Sequence, residues 1–136
     1  MDHKKNRVLI TTQFYPPAYK AGGPVKSVFN MVEKIKLKYN IDIICSSKDL
    51  GSKSNFLCVK SDEWLVINKT KVFYASNLWI TMKELIKLRF KMSYNIIYIP
   101  SFFNPIYSLL VLILFIGSKS KIIIAPKGEF FEGALK

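Results

Sequence analysis

RVLITTQFYPPAYKAGGPVKSVFNM, residues 7–31, decides the architecture. Its first six residues form a β-branched run that turns polar at Thr11 and Thr12, the pattern of a short buried strand. Pro16 and Pro17 then forbid regular structure. From Pro24 onward the apolar residues fall at Val25, Val28, Val32, Ile35 and Tyr39, and Phe29 and Met31 widen the stripe. Lys26, Asn30, Glu33 and Lys34 take the opposite side, so the spacing predicts an amphipathic helix. Pro24 suits its first turn, where the missing N–H is not needed. Strand, broken connection and helix make one β-α unit. Gly22 and Gly23 stand at its hinge, as a flexible turn or as a backbone shaped for a ligand.

The rest of the chain repeats the unit. Asn40–Ser47 (NIDIICSS) returns as a strand, and Lys48–Asn55 is a polar loop. Phe56–Val59 and Trp64–Ile67 are expected as short strands around Asp62 and Glu63, followed by a strand at Lys71–Ala75. Residues 79–92 read as a helix with Ile80, Leu85, Ile86 and Leu88 apolar and Lys83, Glu84, Lys87 and Lys91 solvated. Ile96–Ile99 is a strand, 106–116 a helix, and Ile122–Ala125 a final strand. Continuous apolar strands alternating with helices imply a parallel sheet covered on both faces. The expected fold class is therefore α/β, a Rossmann-like open parallel sheet with helices on both faces, as one domain over residues 1–136. In such folds ligands collect where strands end and helices begin. Thr11–Pro24, Ser101–Pro105 and Pro126–Gly133 are three such places, all expected along one edge of the sheet.

Composition narrows the class. Half of the 136 residues are hydrophobic and 14% aromatic, which excludes an intrinsically disordered chain. Lysine and arginine exceed the acids by 21 − 9 = 12 charges. That excess favours phosphate-bearing ligands, nucleic acid or an anionic membrane surface. Arg7 and Arg89 are the only arginines, however, and arginine dominates bidentate base contacts, so no nucleic-acid partner is expected. Cys45 and Cys58, without a CxxC pair, read as reduced thiols of a cytoplasmic protein. His3 is the sole histidine and lies in a basic leader, so neither a metal nor a cofactor is expected. VLITTQFYPP is too short an apolar core for a signal peptide. Residues 95–117 carry no charge and reach the length of a membrane span. Pro100 and Pro105 divide them into a strand and a short apolar helix, better suited to face a membrane than to cross it.

Three loops supply candidate site residues. Gly22 and Gly23 offer unobstructed backbone N–H groups at the positive end of a helix, which can hold a diphosphate without a dedicated side chain. They form neither a GxGxxG fingerprint nor a Walker loop. Lys127, Gly128 and Glu129 follow the last strand and place opposite charges at the ligand edge, fit for phosphate or sugar oxygens and for hydroxyls. Ser101 and Asn104 flank two phenylalanines that could stack on a sugar ring or cap the core.

GGPVKSVFNM after the first strand, IDIICSSKD in the second and APKGEFFEGALK near the end together resemble the amino-terminal domain of group 1 (family 4) GT-B glycosyltransferases. The likeness runs over essentially the whole chain. Its most specific part is the last, where family members often carry P-R-G-x-(x)-x-x-G-A-L. Lys127 stands where arginine is common, which keeps the charge and loses the bidentate fork. The family often places a histidine in the loop after the fourth strand; Ser101–Asn104 supply none, so no catalytic residue is assigned. The resemblance implies a retaining transferase that moves a sugar from a nucleotide-diphosphate donor to a polysaccharide or lipid-linked acceptor. This domain would bind the acceptor, through Lys127, Gly128, Glu129, Ser101 and Asn104, and bring Gly22 and Gly23 to the donor phosphates. The nucleotide and an E-x7-E motif would belong to a carboxyl-terminal domain not contained in these residues, so the chain alone would be an inactive part of a longer enzyme. Its expected place is the cytoplasm, with peripheral contact at the inner face of the cell membrane.

Two other classes stay open. One is a small basic α/β module that binds a polyanion; it calls for clustered arginines and aromatics, whereas the lysines are scattered. The other is a membrane-surface protein that uses helix 106–116 and basic loops without catalytic activity.

Overall fold

The computed structural model describes residues 6–100 and 104–125. Six strands form one sheet: β1 (Asn6–Thr11), β2 (Tyr39–Ser46), β3 (Trp64–Ile67), β4 (Thr70–Ala75), β5 (Ile96–Ile99) and β6 (Lys121–Ile124). Their order is β3-β4-β2-β1-β5-β6. All neighbours pair in parallel except β3 and β4. From β4 to β6 this is the order of a doubly wound, Rossmann-like sheet, whose direction of winding reverses between β1 and β5.

The central strands form because both of their faces are apolar. Leu9, Ile44, Phe73 and Ile97 point to one side, and Val8, Ile10, Ile43, Cys45 and Tyr74 to the other. Helix α1 (Gly23–Ile35) covers the second side with Val25, Val28 and Val32, all buried. Helix α2 (Leu78–Lys91) covers the first with Thr81, Leu85 and Leu88. Beside it lies a π-helical segment (Pro105–Leu110) that runs into α3 (Val111–Phe115). The expectation of a mainly parallel sheet with helices on both faces is met at this level. One charge is built into β2: the buried Asp42 accepts the Tyr94 phenol at 2.7 Å and lies 3.7 Å from Arg7. Pairing of that kind is what permits a carboxylate to be buried. Cys45 is buried and Cys58 exposed, and both are free thiols.

Four details depart from the sequence-based expectations. β3 runs antiparallel to β4, because only Asn68 and Lys69 join them, at φ of 50° and 68°. Two residues in that conformation make a hairpin, and a parallel pairing needs a long crossover. Phe56–Val59 is no strand: the free edge of β4 is already taken by β3, and Leu57 projects fully into solvent. Tyr39 opens β2 instead of closing α1, since the chain turns through Lys36–Lys38, with the Lys38 N–H on the Ile35 carbonyl at 2.9 Å. The helix over 106–116 begins as a π turn, in which the Leu109 N–H reaches the Asn104 carbonyl at 3.2 Å, a carbonyl that the N–H and hydroxyl of Ser108 share. Among the described residues, no helix is long and apolar enough to cross a membrane.

Candidate functional site

The carboxyl edge of the sheet holds the candidate site. β1 leaves it at Thr11, whose hydroxyl donates to the Tyr107 carbonyl at 2.7 Å. The loop that follows contains a cis Pro16–Pro17 bond and is tied down from several sides. Tyr15 and Ala18 are buried, and the Tyr74 phenol donates to the Pro16 carbonyl. The Asp49 carboxylate accepts the Lys20 N–H at 3.2 Å, which joins this loop to the one after β2. Burial pushes the phenols of Tyr15 and Tyr74 well above their ordinary value, so both remain neutral hydrogen-bonding groups at physiological pH.

Gly22 and Gly23 finish this loop, and they differ. Gly22 has φ 73° and ψ −127°, a region that side-chain-bearing residues rarely enter. It is the N-cap of α1 and has no side chain with which to cap it. Its own N–H is donated to the Tyr19 carbonyl at 3.1 Å, so the expectation of a free N–H on both glycines fails at Gly22. Gly23 is the first helical residue and precedes Pro24. A Cβ built on either glycine meets nothing within 4 Å, so open space lies beside both. The positive end of α1 is therefore fixed in place and free of a capping side chain.

The loop after β5 meets the first one. Asn104 donates through Nδ2 to Gln13 Oε1 at 2.9 Å, across the point where the winding reverses. Its Oδ1 accepts the N–H groups of Ile106 at 3.0 Å and Tyr107 at 2.8 Å. That accounts for the carbonyl and one amide hydrogen, so a sugar could claim only the other. Ser101 lies outside the described residues, as do Lys127, Gly128 and Glu129. The last described residue, Ala125, donates its N–H to the Ile99 carbonyl at 2.8 Å, at the end of β6.

The structure adds a cleft that the motifs did not point to. It holds about 500 Å³ and opens between the loops that follow β1, β2 and β4. That volume suits a small ligand such as a sugar. Phe14, Leu50 and Leu78 supply apolar surface, while Ser46, Lys48, Asp49 and Asn77 supply polar groups. Lys48 Nζ donates to the Ser76 carbonyl at 2.7 Å, which bridges the second and third walls. Asp62 holds Ser76 in turn, accepting its N–H and its hydroxyl, each at 2.7 Å. Asn77 Oδ1 caps α2 through the Ile80 N–H at 3.0 Å. Of the glycine-bearing loop only Gln13 and Phe14 line this cleft; Gly22 and Gly23 stand apart from it, linked through Lys20 and Asp49.

Lys48, Asp49 and Asn77 were thus missed as site residues. The usable signal was positional: SKD (Ser47–Asp49) directly follows a buried strand, and SN (Ser76–Asn77) directly follows another at the same edge. The lining combines hydroxyl, amide, one ammonium and one carboxylate with flat apolar surface, which is chemistry for a polyhydroxylated ligand. Among the described residues, no group of three His, Cys, Asp or Glu could hold a metal ion. Compared with known proteins, the chain matches no family model, no curated protein and no solved structure.

Proposed function

We propose that this chain is the acceptor-side, Rossmann-like domain of a retaining GT-B glycosyltransferase of the group 1 (family 4) type. The observation that carries the reading is the start of α1. It is a glycine-only backbone turn, anchored from behind and without a capping side chain, at the edge of the sheet where doubly wound folds take ligands. In this reading the Gly23 backbone approaches the diphosphate of a nucleotide-sugar donor, and the adjoining cleft takes the saccharide or lipid-linked acceptor. Asp49 and Asn77 bind hydroxyls of that acceptor, while Lys48 meets an anionic group.

The reading requires a second α/β domain, bearing an E-x7-E motif and the nucleotide, in the same coding sequence beyond Lys136. Transfer of labelled sugar from nucleotide-diphosphate donors by the product of that whole sequence tests it. Gly23→Ala places a methyl group against the donor phosphates and should raise the donor KM about tenfold, the worth of one charge-assisted contact. An unchanged KM sinks the phosphate-loop role, and a coding sequence without the second domain sinks the transferase reading.

A further inference from the structure

The outer surface of the α2/α3 layer is unusual for a solvent-facing helix pair. On α2, Trp79 is 68% and Phe90 77% exposed, and Ile86 lies between them. Residues 79, 86 and 90 fall on one line, directly opposite the buried Thr81, Leu85 and Leu88. On the adjoining segment Leu109, Ile113 and Ile116 repeat the spacing, with Ile113 and Ile116 at least 70% exposed. The two stripes belong to neighbouring helices that pack side by side on the same face of the sheet. They make one broad apolar and aromatic surface, of the sort that marks an interaction site.

Among the described residues, the exposed charges of these helices have one sign. Lys83 lies within the α2 stripe, and Lys87 and Lys91 flank it, all exposed. Glu84 is the only acid on α2, and it accepts the Trp64 indole N–H at 2.7 Å on the flank toward β3. Residues 95–117 carry no charge at all. Across the sheet, α1 turns Lys26, Asn30 and Lys34 to solvent, and its one exposed aromatic, Phe29, packs beside Tyr15 at 6.3 Å.

We infer that the α2/α3 face docks on an anionic lipid bilayer, lying flat with its aromatic and aliphatic side chains in the interface. Charge complementarity decides the occupant. A second copy would bring lysines against lysines in a chain of net charge +12. A polynucleotide would use the lysines and the aromatic rings, and would leave Ile113 and Ile116 without a role. A bilayer with acidic headgroups satisfies both: the apolar stripe enters the acyl boundary while the ammonium groups meet phosphates. Tryptophan suits that depth, with an apolar body and a polar N–H. Leu78 lines the cleft and Trp79 follows it on the docking face, so docking brings the mouth of the cleft near the lipid surface. Delivery of a lipid-linked acceptor to that mouth rests on the proposed function; the docking itself does not.

Co-sedimentation with vesicles tests the docking without reference to transfer. Vesicles of equal parts phosphatidylglycerol and phosphatidylcholine should bind the protein, and pure phosphatidylcholine should bind it far more weakly. Trp79→Ser combined with Phe90→Ser should lower the partition coefficient at least about tenfold. Lys83→Gln and Lys87→Gln should each lower it about fivefold, and less in high salt. The lysine variants keep the apolar contacts of the fold, so they remain informative should the aromatic pair fail to fold. Equal binding to neutral vesicles, or binding indifferent to both sets of substitutions, overturns the inference. A dimer in sedimentation equilibrium that the aromatic pair abolishes overturns it as well, in favour of a second copy.

Discussion

α1 and α2 leave the same edge of the sheet on opposite faces, and their first turns are closed by different means. α2 begins on Asn77, whose side chain accepts the Ile80 N–H, and the π-helical segment beside it begins on Asn104, which accepts two N–H groups. α1 begins on Gly22, which has no side chain to offer. A capping asparagine is worth about 1 kcal/mol over alanine but only a few tenths over glycine, so α1 gives up little stability by lacking the side-chain acceptor that its neighbours possess. Its place is held from a distance instead, by buried Tyr15 and Ala18, by the Tyr74 phenol on Pro16 and by Asp49 on Lys20. The difference teaches how a fold keeps a helix end available. Local caps occupy backbone donors, whereas remote anchors fix the chain without a capping side chain. With the Gly22 N–H on the Tyr19 carbonyl at 3.1 Å and none on Pro24, Gly23 is the glycine whose donor matters here.

The largest disturbance removes the supports of both sides together. Tyr15 and Tyr74 lie beneath the loop before α1, while Tyr94 and Tyr107 lie on the α2/α3 side, where the Tyr107 hydroxyl meets Thr81 Oγ1 at 3.2 Å. Burial raises all four phenols above their ordinary value, and for Tyr94 the neighbouring Asp42 carboxylate adds to it. With a pKa raised on folding, the unfolded chain releases its protons first. Stability is then complete below a pH of about 10 and falls above it. Each phenol costs about 1.4 kcal/mol per pH unit, so four together remove about 5 kcal/mol per unit. Against the 5–15 kcal/mol of an ordinary domain, unfolding is expected within about two units above pH 10. Circular dichroism and tyrosinate absorbance followed together check this. Coincident transitions are expected, and four phenols ionising before the fold is lost would contradict their burial.

Gly22→Ala comes next and strikes the α1 side alone. A methyl group at φ 73° and ψ −127° meets no neighbouring atom but sits on a strained backbone. The expected loss is about 2 kcal/mol in urea unfolding, with the slope unchanged. A loss under about 0.5 kcal/mol would mean that the loop relaxes, and the picture of an anchored, open helix end would fail.

Most of this architecture was legible because it rests on periodicity. The buried strands showed as uninterrupted apolar runs, and α1 showed through Val25, Val28 and Val32. What stayed hidden depends on contacts distant in sequence. Phe56–Val59 carries a strand-like composition, and only the occupation of the β4 edge by β3 excludes it. Asn104 was legible as a polar residue at a strand end, but its partners Gln13, Ile106 and Tyr107 assign it to holding the backbone. The cleft was hidden for the same reason: Lys48, Asp49 and Asn77 lie almost thirty positions apart at the extremes and converge only because β1, β2 and β4 end together. Glycines announce themselves in a sequence, and a polar loop does not.

Removing the caps tests the other half of the comparison. Asn77→Ala should cost about 1 kcal/mol, the ordinary value of a helix cap. Asn104→Ala should cost somewhat more, about 2 kcal/mol, because two N–H groups and the Gln13 amide oxygen lose their partner at once. Urea unfolding of both variants checks the ranking. Equal losses would show that the link to Gln13 carries no weight.

Gly23→Ala should have the smallest effect on stability, and that is its use. Two contributions oppose one another. Alanine restricts the unfolded chain and favours the helix, which stabilises by about 0.5 kcal/mol where the native backbone accepts a Cβ. The position also precedes Pro24, whose ring crowds a Cβ on the residue before it when that residue is helical. The net change is expected within about 0.5 kcal/mol of zero. Thermal and urea melts measure it directly, and a loss as large as that of Gly22→Ala would make both glycines needs of the backbone. A neutral result leaves open space beside Gly23 that the fold itself does not require. The absence of a side chain there would then answer to something outside the fold, which is the condition under which a change in donor KM can be read as contact with a ligand.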